Sequence, residues 1–238
     1  MAKLEIAAVR IADSSEVPRI GAGWIARELE QAIAERGFAT LALSGGSSPR
    51  RVYEELASLP IPWERVGIFF GDERCVPPDD PDSNFRMARE ALLDRVRAPH
   101  VHRMAADRVD VEAAAAEYAR ELPEALDAIV LGMGEDGHTA SLFPGHDWSH
   151  AAGRKVIVVS GAPKPPPRRM SVTPEVIWAA RARLVLAPGA SKAPQIVRAL
   201  EGDADPARYP VHLVHGATWL LDQASASGLS ELRWRRGR

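Results

Sequence analysis

The sequence holds one cysteine, Cys75, in 238 residues, so an intrachain disulfide cannot form. That scarcity suits a reducing, cytoplasmic setting. Long apolar runs are missing as well. None approaches the roughly 20 residues that a bilayer-spanning helix needs. The first ten residues mix charged and apolar side chains and lack the apolar stretch of a signal peptide. Net charge is only −2, so bulk electrostatics lends nothing to a nucleic-acid-binding role. Lysine is scarce, four of the 30 basic residues, which makes a well-placed lysine conspicuous. What is present is an ordinary globular balance, 46% apolar and 26% charged, enough to bury a core and exclude disorder as the main state.

Strand-like and helix-like segments alternate along the chain. Residues 5–11 read as a strand. Residues 17–36 carry apolar side chains at helical spacing (Ile20, Trp24, Ile25, Leu29, Ile33) and stop at Gly37, a good helix terminator. Residues 38–43 form a short apolar strand. A helix is expected over 49–58, capped by Ser48 with Pro49 in its first turn. Residues 66–70 read as a buried strand that stops at Gly71-Asp72-Glu73-Arg74. Three prolines and three aspartates make 76–82 a loop. Ser83 or Asn84 can cap a helix over 85–96, and 111–122 is an Ala-rich helix. Further strands are expected at 128–131, 155–160, 184–187 and 211–215. Further helices are expected at 173–181, 191–200 and near Leu220. Short apolar strands separated by helices indicate βαβ units and an α/β, doubly wound, mainly parallel sheet. Residues 1–230 read as one domain, and the basic tail 231–238 as a frayed terminus.

In open α/β sheets ligands bind beyond the C-terminal ends of the strands. Three strand ends here lead into glycine-rich or charged loops. In Ser44-Gly45-Gly46-Ser47-Ser48, adjacent glycines allow close backbone approach, and the following helix start offers N–H groups and a favourable dipole to an anion. The segment lacks the Gly-Lys-Ser/Thr of a Walker A loop and the dinucleotide fingerprint. It reads as a phosphate cradle or as a plain strand–helix turn.

Gly71-Asp72-Glu73-Arg74 puts three charges directly after a buried strand, where unpaired charge is costly. Either Arg74 pairs with a neighbouring carboxylate, or Arg74 faces an anionic oxygen while Asp72 positions a reacting group. In Gly132-Met133-Gly134-Glu135-Asp136-Gly137-His138, the glycines bring Asp136 and His138 to one strand end. A histidine oriented by a carboxylate is a candidate general base. His138, His146 and His150 fit no zinc spacing, so no metal is expected. His100, His102, His212 and His215 read as surface or structural. Arg169, after the proline run 165–167, and Lys192, at a helix start, could complete an anion site. A lysine there opposes the helix dipole unless an anion lies between them. Cys75 has no histidine partner in sequence, and no nucleophile elbow is present.

Four stretches carry a resemblance: LALSGGSSPRRVYEEL (41–56), GDERCVPPDDPDSNFRMAREALL (71–93), LGMGEDGHTASLFPG (131–145), and RRMSVTPEVIWAA (168–180) with GASKA (189–193). In this order and spacing the sequence resembles the 6-phosphogluconolactonase family, within the superfamily that also holds glucosamine-6-phosphate deaminases. The first motif of that family usually has Thr where this chain has Ser48. The resemblance implies a Rossmann-like fold without a nucleotide, hydrolysis of 6-phospho-D-glucono-1,5-lactone, and no metal or organic cofactor. It implies phosphate contacts from Ser44, Gly45, Gly46, Ser47, Arg169 and Lys192. It implies His138 as base, with Asp136, Asp72 and Arg74 nearby.

Deaminases of the superfamily carry a glutamate where this chain has Phe143, so a lactonase is expected rather than a deaminase. A sugar-phosphate sensor would need a DNA-binding segment, and the first strand starts too near Met1 for a helix-turn-helix. The expected partner is a small sugar-phosphate lactone, with no nucleic acid or membrane, in a cytoplasmic monomer or homodimer.

Overall fold

The computed structural model describes residues 3–146, 148 and 151–230. The tail 231–238 and His150 lie outside the described residues. The described residues form ten strands and six α-helices. They are β1 (Ile6–Ala12), α1 (Val17–Arg36), β2 (Ala39–Leu43), α2 (Ser47–Leu56), β3 (Val66–Phe70), β4 (Asp72–Arg74), α3 (Asn84–Ala88) and β5 (His100–Val101). Then come α4 (Val111–Glu121), β6 (Ala128–Gly132), β7 (Val156–Val159), β8 (Arg169–Val172), α5 (Pro174–Ala179), β9 (Ala182–Leu186), α6 (Ala193–Glu201) and β10 (Ala217–Asp222).

Seven strands build one sheet in the order β1-β10-β9-β6-β2-β3-β5, and every pairing in it is parallel. The central strands read as unbroken apolar runs because both faces are covered. β3 is buried at all five positions. From β2 the chain winds through β3 to β5 at one edge. It then returns to β6 on the other side of β2 and winds through β9 to β10. Right-handed crossovers made in opposite directions place their helices on opposite faces of the sheet. The reversal between β2 and β6 leaves a crevice at their C-terminal ends.

α1 runs over the expected residues. Pro18 sits in its first turn, and Gly37 ends it at φ 78°, its N–H reaching Ile33 O at 2.8 Å. The start of α2 differs from expectation. Gly46, at φ 108°, is its N-cap, and Ser48 is already helical. Ser83 caps α3 by accepting from Arg86 N. The helix expected over 85–96 breaks after Ala88 into a wider π-type turn, Arg89–Leu93.

Two expectations fail outright. Residues 71–74 are not only a loop, because Asp72–Arg74 is strand β4. It pairs antiparallel with β8 (Asp72↔Ser171, Arg74↔Arg169), and β8 pairs with β7 to make a separate three-stranded sheet. Three charged residues show no strand pattern by themselves, so the partner strand decides. The last strand is also misplaced. Pro210 sets Pro210–Leu213 into a 3₁₀ turn, Gly216 turns the chain at φ 64°, and the strand is Ala217–Asp222, where a helix was expected near Leu220. Trp219, Leu220 and Leu221 are buried on both faces of the sheet between β1 and β9, which overrides helical preference.

The ends of β2 and β3 are pinned the same way. Ser44 N–H donates to Tyr53 Oη at 2.8 Å, and that hydroxyl donates to Ser44 O at 3.1 Å. Phe70 N–H donates to Tyr118 Oη at 2.7 Å, and that hydroxyl donates to Phe70 O at 3.0 Å. Burial pushes both phenols up, so neither pin titrates near neutral pH. Tyr53→Phe strands the buried Ser44 N–H, and we expect a stability loss of about 1–3 kcal/mol. Urea unfolding checks it. A loss below the fitting error would show that the pin contributes nothing.

Candidate active site

A cleft of about 210 Å³ opens at the β2–β6 reversal. The first wall is the loop after β2. Ser44, Gly45, Gly46, Ser47 and Ser48 all line it. Gly46 adopts a left-handed φ that lets α2 begin at once. The N–H groups of a helix's first turn have no partner within the helix and are available to a bound group.

The second wall is β4. Side chains alternate along a strand, so Asp72 and Arg74 share the cleft face and Glu73 points away. An Arg74–Glu73 ion pair does not form. The Glu73 carboxylate accepts instead from the Arg74, Asn84 and Phe85 N–H groups at 2.7–2.8 Å and from the Ser83 hydroxyl at 3.0 Å. Burial pushes this carboxyl up, and the backbone donors oppose it. Arg74 donates from Nη1 to Asp82 O, and its buried Nε has no partner among the described residues. Asp72 is buried, and Ser141 Oγ donates to its Oδ2 at 2.7 Å.

The third wall is the loop after β6. His138 Nδ1 lies 2.5 Å from Asp136 Oδ1, and the His138 N–H donates to the same oxygen at 3.1 Å. His138 lines the cleft, while Asp136 stands behind it. A Cβ at Gly134 would sit 2.1 Å from His138 Nδ1 and 2.5 Å from Asp136 Oδ1, so only glycine leaves room for the pair. Burial pushes the Asp136 carboxyl up, but its hydrogen bond to the ring, the ring's charge and the backbone N–H outweigh that. They hold it at about 2.

Arg169 and Lys192 close the cleft. Arg169 is buried, donates to Pro166 O at 3.1 Å and Lys164 O at 3.0 Å, and lies over the Phe143 ring at 5.4 Å. Burial pulls this guanidinium down, and the charge of Asp72 opposes that. Lys192 is the N-cap of α6, with no hydrogen-bond or ion-pair partner for its ammonium among the described residues. Burial pulls it down, against the charges of Glu135 and Asp222. Three cations facing one carboxylate make the cleft attractive to an anion.

Nine of the ten residues singled out from sequence thus line one cleft, and the tenth, Asp136, touches it through His138. Sequence reading missed Asn84 as a lining residue and Ser141 and Tyr53 as supports. Their signals are tertiary, since each acts on a residue at least nine positions away. His100, His102, His212 and His215 stay outside the cleft, as expected. His102, for example, stacks on Phe69 and contacts Glu121, and buried His212 accepts from the Asp205 N–H. Among the described residues no group of three or more His, Cys, Asp or Glu could hold a metal.

The profile of the glucosamine-6-phosphate isomerase/6-phosphogluconolactonase family matches residues 12–221. A Synechocystis 6-phosphogluconolactonase is 40% identical over 220 residues, covering 86% of this chain and 90% of its own. A Streptomyces coelicolor 6-phosphogluconolactonase is 39% identical, with 91% and 92% covered. The solved 6-phosphogluconolactonase of Trypanosoma brucei superposes with a TM-score of 0.84 at 27% identity, covering 96% of this chain and all of that one.

Gly134→Ala forces the ring and carboxylate apart. We expect the Asp136 carboxyl to move from about 2 toward its ordinary 3.8, read by NMR titration. Because the folded value lies below the unfolded one, the pair's contribution to stability is full above about pH 4 and fades as pH falls toward 2. The variant should lose that acid-sensitive part. An unchanged titration would show that the ring and the carboxylate are not coupled.

Proposed function

The chain belongs to the glucosamine-6-phosphate isomerase/6-phosphogluconolactonase family, and from that premise we propose that its cleft hydrolyses 6-phospho-D-glucono-1,5-lactone by general-base activation of water. It is a lactone hydrolase, and the acid released is 6-phosphogluconate, in the oxidative pentose phosphate pathway. The observation that carries the mechanism is the meeting of a histidine–carboxylate pair and a cationic, helix-ended cradle across one cleft.

The phosphate sits against the Ser44–Ser47 loop, neutralised by Arg169 and Lys192. Bound there, it would give the ammonium of Lys192 the anion that its place at a helix start calls for. Holding the phosphate fixes the lactone carbonyl between β4 and the loop after β6. His138 Nε2 takes a proton from water, and the water oxygen bonds to C1. The carbonyl π electrons move to oxygen, and Arg74, whose buried Nε has no partner among the described residues, stabilises that oxyanion. The C1–ring oxygen bond then breaks, and the proton on His138 passes to the ring oxygen. The product is a carboxylic acid, which ionises, and a free hydroxyl.

The 2.5 Å contact supports Asp136 as the group that orients His138 and steadies its charged form. Asp72, held by Ser141, belongs to the opposite wall and lines the space for the sugar. Phe143 is buried with its ring 4.8 Å from His138. A phenyl ring has no ionisable proton to give or take, which disfavours the isomerising deamination of related enzymes.

We read residues 1–230 as one domain, cytoplasmic, a monomer or homodimer, acting on its small substrate without metal, cofactor, nucleic acid or membrane. No described helix is long and apolar enough to cross a membrane.

Lactone made in place by glucose-6-phosphate dehydrogenase tests the reading, with decay followed against the spontaneous rate. We expect rapid decay with wild type and a loss of roughly 10²–10⁴-fold in His138→Ala. Near wild-type rates in that variant would remove His138 as the base. Lys192→Ala should raise KM well above any change in kcat, because it holds the end of the substrate that does not react. A kcat loss at unchanged KM would place Lys192 in the chemical step instead.

A further inference from the structure

Asn84 is the first residue of α3 and is almost wholly buried, yet it lines the cleft. Its backbone N–H donates to Glu73 Oε1 at 2.8 Å. With the Phe85 N–H and the Ser83 hydroxyl on the other Glu73 oxygen, the start of α3 is fastened to the back of β4. The side-chain amide then reaches the front of the same strand. Nδ2 donates to Asp72 O at 2.8 Å and to Asp72 Oδ1 at 3.2 Å. Ser141 holds Oδ2, so each Asp72 carboxylate oxygen has a donor from a different element.

The other end of that amide meets the glycine loop. Asn84 Oδ1 is buried without a hydrogen-bond partner among the described residues. A Cβ at Gly45 would lie 1.8 Å from this oxygen, 2.4 Å from Cγ and 2.8 Å from Nδ2. Gly45 does not have a positive φ, so its backbone would accept alanine. Asn84 alone supplies the three nearest obstructions. The two neighbouring glycines therefore serve different ends: Gly46 supplies a left-handed turn, and Gly45 yields its side-chain volume to Asn84.

We infer that Asn84 is a positioning residue for the reaction, its amide locking Asp72 against the glycine loop and so setting the distance between the phosphate cradle and the sugar-facing wall. This rests on the lactonase reading given above. Asn84 makes no bond to His138 or Asp136, so it acts through Asp72 and Gly45. Without the amide, Asp72 keeps only the Ser141 hydroxyl, and the loop loses the surface it rests on.

The test measures kcat and KM for lactone hydrolysis in wild type, His138→Ala, Asn84→Ala, Gly45→Ala and the Gly45→Ala/Asn84→Ala double variant. Asn84→Ala is expected to lose about 10- to 100-fold in kcat, the scale of a misplaced reacting geometry, with a smaller change in KM. Gly45→Ala should lose more, because its methyl and the amide compete for one place. The double variant should then be no worse than Asn84→Ala alone, a strong departure from additivity. Asn84→Asp keeps the shape, suits a helix first turn and loses the amide donor. It is read in the same way if Asn84→Ala does not fold.

A folded Asn84 variant with kcat within twofold of wild type overturns the inference. So does a wild-type-like Gly45→Ala, or a double variant whose loss is the product of the single losses. Wild type without turnover sinks the lactonase reading, and the positioning role falls with it. Active wild type, inactive His138→Ala and an unaffected Asn84→Ala sink the positioning role alone.

Discussion

β2 and β6 lie side by side, but the chain leaves them toward opposite edges of the sheet. No crossover can cover the gap between their C-terminal ends, because each connection turns away to its own side. That topological constraint creates the cleft, and the rest of the site is arranged around it. The loop after β2 supplies backbone donors and a helix start. The loop after β6 supplies the histidine and its carboxylate. The small antiparallel sheet of β4, β8 and β7 closes the remaining side and brings in Asp72, Arg74 and Arg169.

Crowding cations and carboxylates at one place costs desolvation, and the fold meets that cost with local donors. Glu73 is solvated by three backbone N–H groups and a hydroxyl. Asp72 is held by Ser141 and Asn84. Arg169 spends donors on two backbone carbonyls and rests on Phe143. Lys192 is the exception: among the described residues its ammonium has no hydrogen-bond partner, and the charges of Glu135 and Asp222 offset its desolvation only in part.

Sequence and structure agree where chemistry is local. Gly37 ends α1 at a positive φ because its position in the periodic pattern left no other terminator. Asp136 and His138 stand two residues apart in a glycine-bounded turn, so their contact needs only that turn. Agreement fails where a partner strand decides. Asp72–Arg74 has no pattern of its own and becomes a strand through Ser171, Met170 and Arg169. Val211–His215 looks like a strand by composition, but Pro210 coils it, and the true strand is selected by the slot between β1 and β9. Asn84 was legible only as a helix cap. Its contact with Gly45 spans 39 positions and leaves no trace in spacing.

The sequence by itself determined the alternation of strands and helices, the three loops at strand ends, and the residue types those loops carry. These follow from periodicity, glycine conformational freedom and helix-end electrostatics, which act over a few residues. Only the tertiary structure decided that Asp136 serves His138 while Asp72 serves the opposite wall, that Glu73 fastens α3 instead of pairing with Arg74, and that Gly45 is small for Asn84's sake. Each of those assignments depends on which side chain fills a shared volume or satisfies a buried polar atom. Such choices are made by packing between segments far apart in the chain.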